Sequence, residues 1–451
     1  MDAAPWVAVV AGSASGVLSL VARRVPLLAW IALSPFGLAL SMCGGWTALA
    51  GALTGALVHG SVMLTQPARL RPLGFLFGGL GWGIAAGIGG IIFEAFRRSR
   101  ILPEPLGLLF VLPLVALVAA MPMRLAGAPR WVYAALACTQ EAWPVVIRTG
   151  WFGGDVTVTA LLSLSAAAVC FLVPGATWAP GLAALLFSLV LVVLAASARS
   201  LARTRAAIER LPRARVAAVV VNGKPPDGAL PDGLWPLFSP EYGDVDATIR
   251  RYTPHVAHAA REGAHLVVLP EVAVRAGGAD ANRWLDAAAH WAGEHGVTVV
   301  APYFDPSAQA NTLAVLDPSG RRWTHDKQHP APGLEPAPRV REPPGPYPLE
   351  RGWPVSTVIC VDLDYPDLIA PVRAAGGVLV VPANDWPGPF AELHHRSAVW
   401  AAVLTETTVI RATGHGICSA RDGAGAVLAQ ASSIENPTVM VVDVPVASPR
   451  R

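Results

Sequence analysis

Charge is what this chain has least of. Only 14% of its 451 residues are Asp, Glu, Lys or Arg, while 53% are hydrophobic; soluble domains usually carry about a quarter charged residues. The balance points to a membrane. The shortage is uneven: residues 1–198 are dominated by Ala, Leu, Gly, Val and Trp with scattered arginines, and the rest reads as a soluble domain of moderate size. The net charge of +3 is small and spread over single arginines, which leaves no footprint for nucleic acid. Cysteine is scarce as well. Five cysteines give no disulfide framework, since Cys43, Cys138 and Cys170 lie in apolar runs and only Cys360 and Cys418 fall in the soluble part. No C-x-x-C pair or His/Cys cluster with zinc spacing occurs, so no metal is needed to explain the chain. The N-terminus has no basic stretch before Trp6, and the first apolar run is therefore expected to stay as a span rather than be cleaved as a signal peptide.

A bilayer core takes roughly 20 apolar helical residues. Candidate spans are Trp6–Ala22, Val25–Met42, Trp46–Leu64, Leu73–Phe93, Leu106–Met121, Trp131–Ile147, Val156–Val173 and Leu182–Ala198, eight in all, or seven if one of the weaker runs fails. Glycines four apart (Gly51 and Gly55, Gly74 and Gly78, Gly79 and Gly83) allow close helix approach. Glu141 and Arg148 lie beside a span and two helical turns apart, where an ion pair, a cavity lining and interfacial snorkelling are all open readings. With eight spans, the arginines after the last one (Arg199 to Arg215) share a side with the N-terminus, and the positive-inside rule makes that side cytoplasmic. Seven spans reverse the soluble domain.

After a basic linker at 199–214, β-branched runs alternate with amphipathic stretches from Val216 to Val444, the pattern of an α/β layered domain over 215–451. Strands are expected at Val216–Val221, Leu266–Leu269, Val297–Ala301, Thr312–Leu316, Val355–Cys360, Val378–Val381, Val409–Ala412, Ala426–Ala429 and Val439–Val444. Helices are expected about Val245–Glu262, Ala281–His295, Pro366–Ala375 and Phe390–Thr405. The proline-rich segment Pro330–Pro348 reads as a long loop without regular structure, a candidate lid.

Three residues carry the chemistry. The stretch Pro354–Asp367, PVSTVICVDLDYPD, delivers Cys360 at the end of a buried strand just where the chain turns outward. A lone cysteine there is usually a small core hydrophobe. Its company is what matters: Glu271 closes another apolar strand, AHLVVLPE, and Lys327 sits in the polar run HDKQH. A thiol, a carboxylate and an amine on separate strand ends supply a nucleophile, a base and an oxyanion partner.

In that order on an α/β domain, Glu271, Lys327 and Cys360 resemble the nitrilase, or carbon–nitrogen hydrolase, superfamily. LPEVA around Glu271, DKQHPAPGLE (326–335), ICVD (359–362), PANDWPG (382–388) and IRATGHG (410–416), behind a multi-span N-terminal half with LLAWIALSPFGLAL (27–40) and EAWPVVIRTGWF (141–152), are similar to apolipoprotein N-acyltransferases. The resemblance implies a polytopic α-helical membrane domain of seven or eight helices followed by a nitrilase-like α-β-β-α sandwich. It implies an N-acyltransferase with a Glu–Lys–Cys triad in a bacterial inner membrane, its catalytic domain extracytoplasmic. The acyl donor would be a phospholipid and the acceptor the N-terminal amine of a diacylglyceryl-cysteine lipoprotein, with no cofactor, and a monomer is expected. Glu335, Val361 (through its backbone N–H) and Asp362 would support the triad, and Trp235, Asn384, Trp386 and His394 would lie along the substrate. Val361 and Asp362 stand where the family usually has an aromatic and a glutamate, and Ala401 and Leu404 where it has an arginine and a glutamate. A membrane-tethered amidase, an acyltransferase for another amine and a non-catalytic paralogue are the alternatives.

Overall fold

The computed structural model describes residues 5–42, 46–63, 71–99, 104–125, 128–130, 135–172, 179–221, 244–330, 335, 344–349, 351–385, 389–433 and 436–448. The chain divides into two compact units, Met1–Leu201 and Ala202–Arg451.

Helices form the first unit. Among the described residues, three are long and apolar enough to cross a membrane: Pro5–Ala22, Gly78–Ser99 and Pro180–Ile208. Shorter apolar helical stretches lie at Pro26–Leu40, Thr47–His59, Leu106–Met121 and Asp155–Cys170. The run expected as one span at Trp131–Ile147 is broken instead. Its described part is a 3₁₀ turn at Ala137–Gln140 followed by the short helix Pro144–Thr149, because Pro144 cannot continue a preceding helix. Small residues set the packing: a Cβ on Gly51 would run into Ala86 and Trp82, and one on Gly55 into Gly78 and Trp82. Hydroxyls tie helices together where water is absent. Ser15 Oγ accepts from the Phe36 N–H at 2.8 Å, and Thr54 Oγ1 donates to the Gly12 carbonyl at 3.2 Å. Glu141 and Arg148 are both buried, and Arg148 donates to Ser200 Oγ at 3.1 Å with its guanidinium 4.1 Å from the Trp151 ring centre.

The second unit is a four-layer α-β-β-α sandwich. Its strands are β1 (Arg213–Val220), β2 (Leu266–Val268), β3 (Thr298–Asp305), β4 (Ala310–Leu316), β5 (Arg322–Asp326), β6 (Pro346–Pro348), β7 (Pro354–Thr357), β8 (Val378–Asn384), β9 (Thr408–Gly414), β10 (Ile417–Arg421), β11 (Val427–Ser432) and β12 (Thr438–Pro445). They form two six-stranded sheets, ordered β12-β1-β2-β3-β4-β5 and β11-β10-β9-β8-β7-β6. Each sheet holds three neighbouring parallel strands, β1-β2-β3 in one and β7-β8-β9 in the other, flanked by antiparallel ones. Side-chain alternation assigns the layers. Val216, Ala218 and Val220 point into the core shared with Val355, Val378, Val380 and Ile410 of the facing sheet. Ala217 and Val219 point out, beneath the helices Val245–Arg261 and Ala279–His295. The helix Pro389–Thr405 covers the other sheet's outer face with Ala398, Ala401 and Ala402.

Four strands depart from the sequence reading. The proline-rich loop contains β6, in which Pro346 and Pro348 flank Tyr347 against β7. Prolines are tolerated there because β6 is an edge strand and owes few N–H groups to the ladder. Polar residues hid β5, and β10 is a short strand next to the GHG turn. The expected strand to Cys360 ends at Thr357, and Cys360 opens a 3₁₀ turn, Cys360–Asp364.

Candidate active site

The C-terminal ends of the parallel strands β2, β7 and β8 carry most of the candidate residues, as is usual where helices cross over between such strands. Glu271 follows β2, Cys360 follows β7, Asn384 and Asp385 close β8, and Lys327 follows β5. Two of these ends are bent into the left-handed region that side chains avoid: Cys360 has φ 53° and Val272, next to Glu271, has φ 50°. Each such residue costs about 1–2 kcal/mol. At Cys360 the bend turns the chain from an extended strand straight into a 3₁₀ turn, which puts the sulfur at the apex.

Glu271, Lys327 and Cys360 come together, all nearly inaccessible to solvent. Lys327 Nζ donates to Glu271 Oε1 at 2.7 Å and to Glu335 Oε2 at 2.6 Å. Asn311 Nδ2 donates to the same two carboxylates, at 2.7 Å to Glu271 Oε1 and 3.1 Å to Glu335 Oε1. The Cys360 thiol and the Glu271 carboxylate lie close enough to act on each other electrostatically. One ammonium thus lies between two carboxylates in a dry site. Burial acts to lower the Lys327 pKa, but the carboxylates of Glu271 and Glu335 outweigh it and keep the ammonium charged. Burial raises the Glu271 pKa against the pull of Lys327, with Glu335 adding to the rise. The Cys360 thiol is held well above its ordinary value by burial and by Glu271, with Lys327 opposing. The resting state is therefore a thiol beside a carboxylate that is ready to accept a proton.

Asp362 turns inward from the Cys360 elbow. Its carboxylate accepts the His329 N–H at 2.7 Å, the Gln328 N–H at 3.2 Å and the Ile359 N–H at 3.3 Å. It therefore ties the loop after Lys327 to the Cys360 turn. Burial pushes its pKa up to about 7, with Lys327 and these three N–H groups pulling the other way. Asn384 Nδ2 reaches the Glu271 carbonyl at 3.5 Å, and the Asn384 backbone lies beside the thiol and favours its ionised form. His394 is fully buried, Nδ1 2.7 Å from Asp385 Oδ1. Trp235 and Trp386 lie outside the described residues, as does most of the proline-rich loop.

The sequence reading missed Asn311 and Arg411. Asn311 is polar where β4 enters the sheet, and Lys327 N–H donates to its carbonyl at 2.8 Å; only the β4–β5 register brings the two side by side. Donor atoms of Cys360, Asp385 and His394 all lie within 4.8 Å of one another, a spacing that a metal ion could use. A fixed cation already serves two of them, since Arg411 Nη2 stands 3.0 Å from both Asp385 oxygens and 2.6 Å from His394 Nδ1. A surface cavity of about 290 Å³, lined by Arg213, His265, Arg351 and Trp353 among others, opens at the opposite, N-terminal ends of β1, β2 and β7 and does not touch this site.

Residues 231–450 match the carbon–nitrogen hydrolase family. No curated protein matches the chain. Among solved structures, an amidase from Nesterenkonia sp. is similar at 18% identity and TM-score 0.43, over 51% of this chain and 90% of that one. A mutant of the Nesterenkonia sp. AN1 amidase in complex with butyramide is similar at 18% identity and TM-score 0.43, over 52% of this chain and 94% of that one. The C-terminal unit thus has the carbon–nitrogen hydrolase fold, and the chain ahead of it has three helices of membrane-spanning length among the described residues.

Proposed function

We propose that this protein is a membrane acyltransferase that moves a fatty acyl group from a phospholipid, through a thioester on Cys360, to the N-terminal amine of diacylglyceryl-cysteine lipoproteins in a bacterial cell membrane. The observation that carries this reading is the buried Cys360–Glu271–Lys327 cluster in a chain whose other unit is built of apolar helices. Glu271 takes the thiol proton as the sulfur attacks the ester carbonyl. Lys327 Nζ and the Val361 backbone N–H stabilise the oxyanion. Collapse of the tetrahedral intermediate breaks the ester C–O bond, and the lysophospholipid oxygen leaves with the proton from Glu271. The acceptor amine then attacks the thioester, its proton passes to Glu271, and the thiolate regains it as the amide departs. Glu335 and Asn311 hold Lys327 and Glu271 in register through both halves. Donor and acceptor both reside in lipid, which gives the apolar helices their purpose.

A second reading, hydrolysis of a carbon–nitrogen bond or transfer to another amine, is favoured by the family match and by Val361–Asp362 in place of the aromatic–glutamate pair. Intact-protein mass spectrometry after incubation with phosphatidylethanolamine separates the two. A fatty-acyl increment on wild type, absent from Cys360→Ala and discharged by a diacylglyceryl peptide, is the expected result. No increment on wild type, with turnover of small amides, would overturn acyl transfer from phospholipid.

A further inference from the structure

Behind Cys360 lies a second buried cluster that the acyl-transfer cycle above does not use. Arg411 Nη2 donates to both Asp385 oxygens at 3.0 Å, and its Nε and Nη1 have no hydrogen-bond partner among the described residues. The guanidinium is therefore held by Asp385, with His394 alongside. His394 Nε2 stands 3.6 Å from Asp364 Oδ2, which belongs to the Cys360 turn itself. Asp385 is pinned through its backbone too: its N–H donates to the Gly414 carbonyl at 2.9 Å, and a Cβ on Gly416 would meet its Oδ2 at 2.7 Å. Asp364, His394 and Arg411 are fully buried and Asp385 is 2% exposed. Four side chains from the Cys360 turn, the end of β8, the covering helix and β9 thus meet in one dry cluster, and its Asp385 and His394 each bring a donor atom within 4.8 Å of the Cys360 sulfur.

We propose that Asp385, clamped by Arg411 and His394, is a positioning residue: it fixes the Cys360 elbow and places a compensated negative charge beside the sulfur, so that ionisation of the thiol waits on Glu271. The proposal rests on Cys360 being the nucleophile. The groups facing the thiol are Glu271, Lys327 and Glu335 from the other sheet, and Asp362 and Asp364 from its own turn. From its own sheet's side come Asp385 and, behind it, His394, Arg411 and His415. Asp385 acts to raise the energy of the thiolate, and Arg411 is the charge that moderates it. Charge removal on the two sides should therefore act in opposite directions, which a merely structural cluster would not do.

The test is the pH dependence of Cys360 alkylation by iodoacetamide in the purified full chain, resolved by mass spectrometry. Buried Cys418 in the same unit serves as the folding reference. Asp385→Asn is expected to move the Cys360 midpoint to lower pH by about one unit. Arg411→Gln should move it to higher pH, and Asp385→Glu should keep it near wild type. Acyl-enzyme formation should fall by about tenfold or more in the first two variants. Unchanged midpoints, or shifts of the same sign, with Cys418 protected would overturn the proposal. If one variant exposes Cys418, the sign of the other decides. If both do, the cluster is a folding element and the proposal fails. Alkylation needs no phospholipid, so failure of the acyl-transfer reading, seen as no acyl increment on wild type, is a separate result.

Discussion

The two units answer the same question, where to put apolar surface, in opposite ways. In the helical unit many large apolar side chains face outward, Ile91 at 73% exposed and Leu191 at 65% among them, while Ser15, Thr54, Gln140, Glu141 and Arg148 are buried. In the α/β unit the apolar residues fill the space between two sheets and beneath the helices, and Val427 is the one large apolar side chain well exposed to solvent among its described residues. The difference teaches what solvent each unit was selected for. Hydrocarbon gives helices no reason to hide leucine, so small residues and hydroxyls hold them together; water drives the sandwich to bury it. Both units keep some ionisable groups out of contact with solvent, and in the α/β unit Glu271, Lys327, Asp385 and His394 are gathered around Cys360.

The largest expected effect sits inside that convergence. Glu271→Gln removes the proton acceptor and leaves Lys327 with Glu335 alone, so thioester formation should slow by about a hundred- to ten-thousandfold. Rapid-quench mass spectrometry of the acyl-enzyme measures it, and a thioester forming at the wild-type rate would remove Glu271 from the role of base. The next effect tests the contrast between the units directly. Ile91→Lys and Leu191→Lys place a charge near the middle of two long apolar helices, at about 2.5–3.5 kcal/mol each. The yield resistant to carbonate extraction from membranes should drop sharply, whereas Val427→Lys on the α/β unit should leave it unchanged. Equal tolerance at all three positions would break the comparison.

The smallest effect concerns Asp362. Its folded pKa of about 7 lies above the ordinary 3.8. The neutral form is therefore the stable partner of the fold: its contribution is complete below about pH 3.8 and is lost as pH rises through about 7. Asp362→Asn cannot ionise. It gives up hydrogen bonds at every pH, yet its melting temperature relative to wild type should improve by a few degrees between about pH 4 and pH 7. Parallel melting curves over that range would show that Asp362 does not titrate there.

Much of this was legible in the residues. Apolar runs ending in Glu271 and Cys360 announce strands whose ends carry polar chemistry, and the helix at Val245–Arg261 and the strand at Val439–Val444 follow from periodicity. Lys327 was legible by its motif, although β5 was not, because RRWTHD lacks the apolar alternation that marks a strand. Its pairing partner β4 makes it one. Prolines concealed β6 for the same reason: an edge strand needs few of its own N–H groups. The left-handed turns at Cys360 and Val272 left no trace in residue type, since neither is glycine; surrounding packing imposes them.

The sequence by itself determined the division into an apolar helical part and an α/β part, the alternation that assigns each strand a buried face, and the identity of the thiol, carboxylate and ammonium groups. Those properties are local, set by hydropathy, period and side-chain chemistry. The tertiary structure alone decided that Asn311 bridges two carboxylates, that Asp362 ties the Lys327 loop to the elbow, and that Asp385, His394 and Arg411 share one dry cluster behind the sulfur. Each of these is a contact between residues far apart in the chain. The register of one strand on the next creates it, and the low dielectric of the buried site makes it matter.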